Sequence, residues 1–316
     1  MSARAARVHG VCESTRIAGD YTGRADGGVM ASFTRRETLA AAVAAAASIP
    51  LGGVFAQTGG PAVTKGRLRQ SVSRWCYSKI PMPEFCKAVK DMGLTAIDLL
   101  DEPEWTVARD HGLICSMAYA GGGSIRDGLN VRANHDAIVR NFEEKIPKAA
   151  QLKIPNVITF FGNRKGMSDA EAITNCVDGL NRVKKIAEDT GVMICVELLN
   201  SKVDHKDYQG DRTAFGVEVV KAVASPRVKL LYDIYHMQIM EGDLIRTIRD
   251  NKEYLAHFHT GGVPGRHELD GTQEVTWRAV ATAIADTGFQ GYLAHEFVPT
   301  RDPLTSLREA VMLCDV

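Results

Sequence analysis

Four places in the sequence put one residue able to bind a metal at the end of an apolar run: Val196-Glu197-Leu198, Tyr232-Asp233-Ile234, Phe258-His259-Thr260 and His295-Glu296-Phe297. Two glutamates, an aspartate and a histidine form a hard-to-borderline donor set. It suits one divalent ion such as Mn²⁺, Mg²⁺, Co²⁺ or Zn²⁺ rather than Cu(I) or an iron–sulfur cluster. Charge argues the same way, because three carboxylates gathered at one mouth repel and are driven toward protonation unless a cation neutralises them. Taken singly, each residue reads as ordinary strand-end polarity; four in register do not.

Convergence needs a scaffold. From residue 70 onward, short apolar runs alternate with longer amphipathic stretches, the pattern of repeated βα units. It predicts strands over Ser71–Tyr77, Ala96–Leu100, Leu113–Ala118, Asn156–Phe161, Met193–Leu199, Lys229–Ile234, Leu255–His259 and Gly291–Phe297. Between them it predicts helices such as Pro83–Met92, Ala133–Leu152, Ser168–Thr190, Thr213–Ala224, Leu244–Asn251 and Thr276–Thr287. Gly93, Gly191 and Gly288 stand where helix-terminating residues belong. Eight repeats without a Gly-rich phosphate fingerprint predict an α/β fold, a single-domain (β/α)8 TIM barrel over residues 68–316, in preference to an open doubly wound sheet. In such a barrel the C-terminal strand ends surround one mouth, which is where the four candidate ligands fall.

The rest of the composition narrows the function classes. Lys plus Arg (38) balances Asp plus Glu (38), so no net field gathers nucleic acid or anionic lipid. A nucleic-acid partner is not expected. Residues 1–57 read as an N-terminal extension with a twin-arginine signal: Thr34-Arg35-Arg36-Glu37-Thr38-Leu39, an uncharged Ala-rich run from Ala40 to Pro50, and Val54-Phe55-Ala56 as a cleavage point. The apolar run is too short and too weakly apolar for stable membrane insertion. The expectation is export to the periplasm, with Met30 as an alternative translation start. The seven cysteines form no CxxC or zinc spacing and are expected to remain mostly free thiols. Homo-oligomerisation is compatible with all of this.

Longer segments carry a family likeness. Val196-Glu197-Leu198-Leu199-Asn200, Tyr232-Asp233-Ile234-Tyr235-His236-Met237-Gln238, His257-Phe258-His259-Thr260, Val263-Pro264-Gly265-Arg266-His267-Glu268 and His295-Glu296 resemble the hydroxypyruvate isomerase branch of the xylose isomerase-like barrels over residues 70–316. Ketose 3-epimerases of the same superfamily are similar in ligand order and in the His three residues after Asp233. The resemblance implies a metal held by Glu197, Asp233, His259 and Glu296, with Glu197 and Glu296 doubling as the acid/base pair. A metal that chelates a carbonyl and its neighbouring hydroxyl acidifies the C–H between them, and a carboxylate on each side can remove and return that proton. Arg266 would then hold a substrate oxygen. His236 would donate to the reacting oxygen or orient Glu197. Trp75 and Trp105 offer an apolar wall, while His257, Glu268 and the polar loop of Lys202, His205 and Lys206 read as packing or solvated residues.

Two departures bear on the substrate, a small hydroxy-carbonyl compound or sugar. Ketose epimerases carry a further acid shortly after the strand-five Glu, where this chain has Asn200-Ser201-Lys202-Val203. Hydroxypyruvate isomerases are typically cytoplasmic and often have Gln where His259 stands. Three functions follow: an isomerase of an α-hydroxy carbonyl compound, a keto-sugar epimerase or keto-glycoside lyase or hydrolase using the same base, and a non-catalytic exported sugar-binding barrel. The last would show a missing ligand, and none is missing.

Overall fold

Each of eight strands is followed by a helix along residues 60–316, the part of the chain that the computed structural model describes. The strands are β1 Arg69–Val72, β2 Ala96–Leu100, β3 Ile114–Gly122, β4 Asn156–Phe160, β5 Met193–Leu198, β6 Val228–Asp233, β7 Leu255–Thr260 and β8 Tyr292–His295. All pair in parallel in the order β1-β8-β7-β6-β5-β4-β3-β2. A parallel bridge between Ser73 and Asp98 brings the two ends of that order together, so the sheet forms a barrel. The helices are α1 Met82–Asp91, α2 Glu102–Asp110, α3 His135–Gln151, α4 Asp169–Thr190, α5 Thr213–Val223, α6 Ile234–Met240, α7 Leu244–Asn251, α8 Trp277–Asp286 and α9 Pro303–Cys314.

Local chemistry sets these boundaries. Every residue of β2 and β4 is buried, as expected where helices cover one face of a strand and the barrel interior the other. Ser168 caps α4 by accepting from the Glu171 N–H (3.2 Å), and Gly191 ends it at φ 77, a conformation that costs glycine nothing.

Boundaries differ from expectation where side chains redirect the chain. The expected strand Ser71–Tyr77 stops at Val72, and Arg74–Tyr77 forms a single 3₁₀ turn. Arg74 drives that change by donating to the carbonyls of Tyr77 (2.6 Å) and Ile80 (3.1 Å), bonds that an extended backbone could not offer together. The turn lifts Trp75 over the barrel mouth. Strand β8 ends at His295, so Glu296 lies just beyond it, and Ile234 opens α6 rather than closing β6.

The twin-arginine segment and the rest of residues 1–57 lie outside the described residues. No helix among those described is long and apolar enough to cross a membrane. The six described cysteines, at 76, 86, 115, 176, 195 and 314, are free thiols.

Candidate metal centre

Glu197, Asp233, His259 and Glu296 meet at the C-terminal mouth of the barrel, with one donor atom from each lying within 4.8 Å of the others. Glu197 is the penultimate residue of β5, Asp233 the last of β6 and His259 the penultimate of β7. Register aligns them: Asp233 is the direct partner of His259 across β6 and β7. All four are at most 5% exposed.

Each side chain is aimed by its own element. The Asp233 Oδ1 accepts from the N–H groups of Tyr235 (2.9 Å) and His236 (3.3 Å), which caps α6 and leaves Oδ2 turned to the centre. The Tyr208 hydroxyl donates to the Glu197 carbonyl (2.9 Å) while accepting from the Phe161 N–H (2.9 Å), which fixes the end of β5 against β4. The Trp75 indole N–H donates to Glu296 Oε1 (2.6 Å). His259 turns Nδ1 inward, 2.5 Å from Glu296 Oε2, 3.4 Å from Glu197 Oε1 and 3.9 Å from Asp233 Oδ2. Three carboxylate oxygens crowd that one buried nitrogen. One cation shared by that nitrogen and the carboxylate oxygens would satisfy them all.

Electrostatics separates the two glutamates. Burial raises the Glu197 carboxyl to about 7, with repulsion from Glu296 and Asp233 adding to the effect and His259 opposing it. Burial acts on Glu296 too, but there the Arg266 guanidinium, His259 and the Trp75 N–H outweigh it and hold the carboxyl down at about 2. Burial also raises Asp233, against the pull of Arg266.

Arg266 sets one positive charge against this cluster. Its Nη2 donates to Asp233 Oδ2 (2.7 Å) and to Glu296 Oε2, its Nε to the Glu296 carbonyl (3.0 Å), and its Nη1 meets His236 Nε2 at 2.6 Å. The expected substrate residue thus sits on two candidate ligands as well as at the cavity. His236 exposes a mismatch at this point. Burial, with Arg266 beside it, holds its pKa well below the usual range, so the ring is neutral and has one N–H. Asn200 Oδ1 accepts from the N–H groups of Val203 and Asp204 (2.9 Å each), which leaves its amide NH₂ 2.6 Å from His236 Nδ1. Both ring nitrogens of the neutral His236 thus face donors, Asn200 at Nδ1 and Arg266 at Nε2, while only one of them can accept.

Above the cluster lies a cavity of 330 Å³ whose wall includes Trp75, Leu99, Tyr119, Phe160, Asp204 and His205. That volume is at the small end of the roughly 300–1,000 Å³ of ligand sites. A larger cavity of 530 Å³ opens at the other end of the strands among Arg69, Arg227 and Lys229, away from all four candidate ligands. Size alone would choose the wrong end.

Several expectations resolve differently. Trp75 lines the cavity, but Trp105 does not: it is buried in α2 and donates to the Leu100 carbonyl (3.0 Å). Lys202 caps the end of α6 through the carbonyls of Ile239 and Met240 (2.9 Å each). Glu268 clamps the loop before α9. The run Asn200–Val203 lacks an acid, yet Asp204 supplies one at the cavity, held by Asn200 (2.6 Å) and the Tyr235 hydroxyl (2.8 Å). Asp98, fully buried on β2, was not anticipated; nothing in Ala96–Leu100 distinguishes it from a strand-end acid. The adjoining Leu99 has φ 53, left-handed backbone that costs a non-glycine residue roughly 1–2 kcal/mol, and β2 shifts register against β3 on both sides of Asp98.

A family model for the xylose isomerase-like TIM barrel matches residues 86–314. The chain belongs to that family. The D-psicose 3-epimerase of Agrobacterium fabrum is 33% identical over 205 residues, 61% of this chain and 68% of that protein. A second D-psicose 3-epimerase, from Ruminiclostridium cellulolyticum, is 33% identical over 120 residues, and the chain spans only 39% of its length. A putative hydroxypyruvate isomerase of Xenopus laevis is 22% identical across 74% of this chain and 90% of that protein. With relatives of these kinds, the chain is an isomerase-type enzyme. The IolI protein, described with a binding zinc atom, shares the fold with a TM-score of 0.62 at 15% identity, covering 78% of this chain and 95% of that one.

Proposed function

We propose that this protein is a divalent-metal-dependent isomerase that moves a proton next to the carbonyl of a small α-hydroxy carbonyl compound, in the manner of hydroxypyruvate isomerases. The observation carrying this reading is the convergence of three carboxylates and one imidazole nitrogen beneath a small cavity. A cation bound by Glu197, Asp233, His259 and Glu296 would polarise the substrate carbonyl and acidify the adjoining C–H. Glu197 and Glu296, both lining the cavity, form the acid/base pair. The His236 ring and the Arg266 guanidinium, both at the cavity, would bind a substrate oxygen. The Trp75 ring with Leu99, Tyr119 and Phe160 gives the substrate an apolar side to pack against.

Keto-sugar epimerisation is the second reading. It is favoured by Asp204 at the cavity, where an acid can read a sugar hydroxyl, and by identity to D-psicose 3-epimerases. Incubating the metal-loaded protein with hydroxypyruvate, short hydroxy-carbonyls and ketohexoses, then identifying the products, separates the readings. A product of unchanged mass with the carbonyl moved supports the isomerase. Inverted configuration at one carbon means epimerase, and a released leaving group means lyase or hydrolase.

We also propose that Arg35-Arg36, the Ala-rich run and Val54-Phe55-Ala56 direct export to the periplasm by the twin-arginine route. The mature protein is then expected to begin near residue 57, which N-terminal sequencing from a periplasmic fraction tests; finding Arg35-Arg36 on the functional protein contradicts it.

A further inference from the structure

The geometry points to Asp98 as a positioning residue that fixes the tautomer and tilt of His259, so that the Nδ1 lone pair is committed to the cluster of Glu197, Asp233 and Glu296. This rests on the reading that those four residues hold a cation. His259 has two ring nitrogens with different surroundings. Nδ1 faces the three carboxylates, and Nε2 lies 2.9 Å from Asp98 Oδ2. With a cation taking the Nδ1 lone pair, the one proton left on His259 is on Nε2, where the Asp98 carboxylate can accept it.

The carboxylate is itself held. Its Oδ1 accepts from the Ser116 hydroxyl (2.5 Å) and lies 3.1 Å from His257 Nε2. The Ser116 hydroxyl also lies 3.0 Å from the Ser71 hydroxyl. These groups come from β1, β2, β3 and β7. Because β2 and β7 are not neighbours in the sheet, the Asp98 to His259 contact crosses the barrel interior. Asp98, His257 and His259 are all fully buried, so water cannot substitute for the contact. The left-handed backbone at Leu99 and the flanking register shifts bend β2 at this residue. Asp98, His257 and His259 could also be grouped as three metal ligands. That grouping is the weaker one, because it offers a cation one carboxylate against three and needs His259 Nε2, whereas a neutral imidazole has a single lone pair and Nδ1 faces the larger cluster.

Cobalt titration followed by visible absorption tests the assignment on the wild type, Asp98→Asn, His259→Gln and the double variant. One Co²⁺ per wild-type chain is expected, with affinity about 10- to 100-fold lower in Asp98→Asn, the range for residues that support a ligating histidine. In the His259→Gln background, Asp98→Asn should cost nothing further, because its effect runs through the imidazole. Equal affinity of Asp98→Asn and wild type overturns the proposal, as does a full loss persisting in the double variant. A second Co²⁺ per wild-type chain that disappears with Asp98→Asn would make Asp98 a ligand and overturn it too. Absence of any Co²⁺ binding by the wild type removes the metal reading itself. Should Asp98→Asn fail to fold, ¹⁵N-histidine NMR of the Zn²⁺-loaded wild type decides. The resonance missing from His259→Gln must show its proton on Nε2, and a proton on Nδ1 contradicts the assignment.

Discussion

Glu296 accepts from Trp75 and Arg266, sits against His259 and is held ionised by its neighbours. Replacing it with Gln keeps the volume and removes the charge. Turnover should fall by roughly 10²–10⁴-fold with the thermal transition little changed, and near-normal activity would remove Glu296 from the chemistry. At this scale the sequence was legible where residues of ligand type stand at strand ends that the fold brings together. Glu197, Asp233, His259 and Glu296 could be read because the βα period locates those ends. Asp98 and Asp204 could not, because their roles come from contacts across the barrel and from a loop whose path no local pattern describes. Trp105 shows the same limit in reverse: an aromatic near a strand end says nothing of which side of the helix it will occupy.

Elements position these residues through loop clamps. Glu268 accepts from the Thr300 N–H and hydroxyl (2.8 Å each), the Arg301 N–H (3.1 Å) and the Ser306 hydroxyl (2.9 Å), which joins the loop after β7 to the start of α9. Burial alone would raise its pKa, but hydrogen bonds from its own backbone, Thr300 and Ser306 hold it at about 2. A carboxyl depressed on folding stabilises the native state above its unfolded pKa of about 4.3, and that contribution fades as pH falls toward 2. Glu268→Gln should therefore cost about 2 kcal/mol at pH 7 and much less at pH 2.5, measured by urea unfolding. An equal cost at both values would show that the carboxylate charge is not the source. Strand periodicity was readable throughout, but β1 was overextended because the Arg74 contacts that turn the chain depend on carbonyls three and six residues away.

Across the whole molecule, a balanced net charge coexists with a local concentration of buried carboxylates that one guanidinium neutralises only in part. Any divalent ion that binds the folded chain and not the unfolded one must stabilise it. At 100-fold over its Kd the gain is about 2.7 kcal/mol, or roughly 5–10 °C in Tm for a domain of this size. Calorimetry with Mn²⁺, Co²⁺, Mg²⁺ or Zn²⁺ should show that rise and its reversal by chelator. No shift with any of the four would argue against the site.

Proton abstraction beside a carbonyl is the central claim, and hydrogen exchange reads it directly. The metal-loaded protein is incubated in deuterated water with a panel of short hydroxy-carbonyls and keto-sugars, and the recovered substrate and product are analysed by mass and NMR. Deuterium should appear at the carbon next to the carbonyl of at least one compound, and the signal should vanish with chelator and in Glu197→Gln and Glu296→Gln. Carbon-bound hydrogen that stays unexchanged across the whole panel, with metal present and the protein folded, would contradict it.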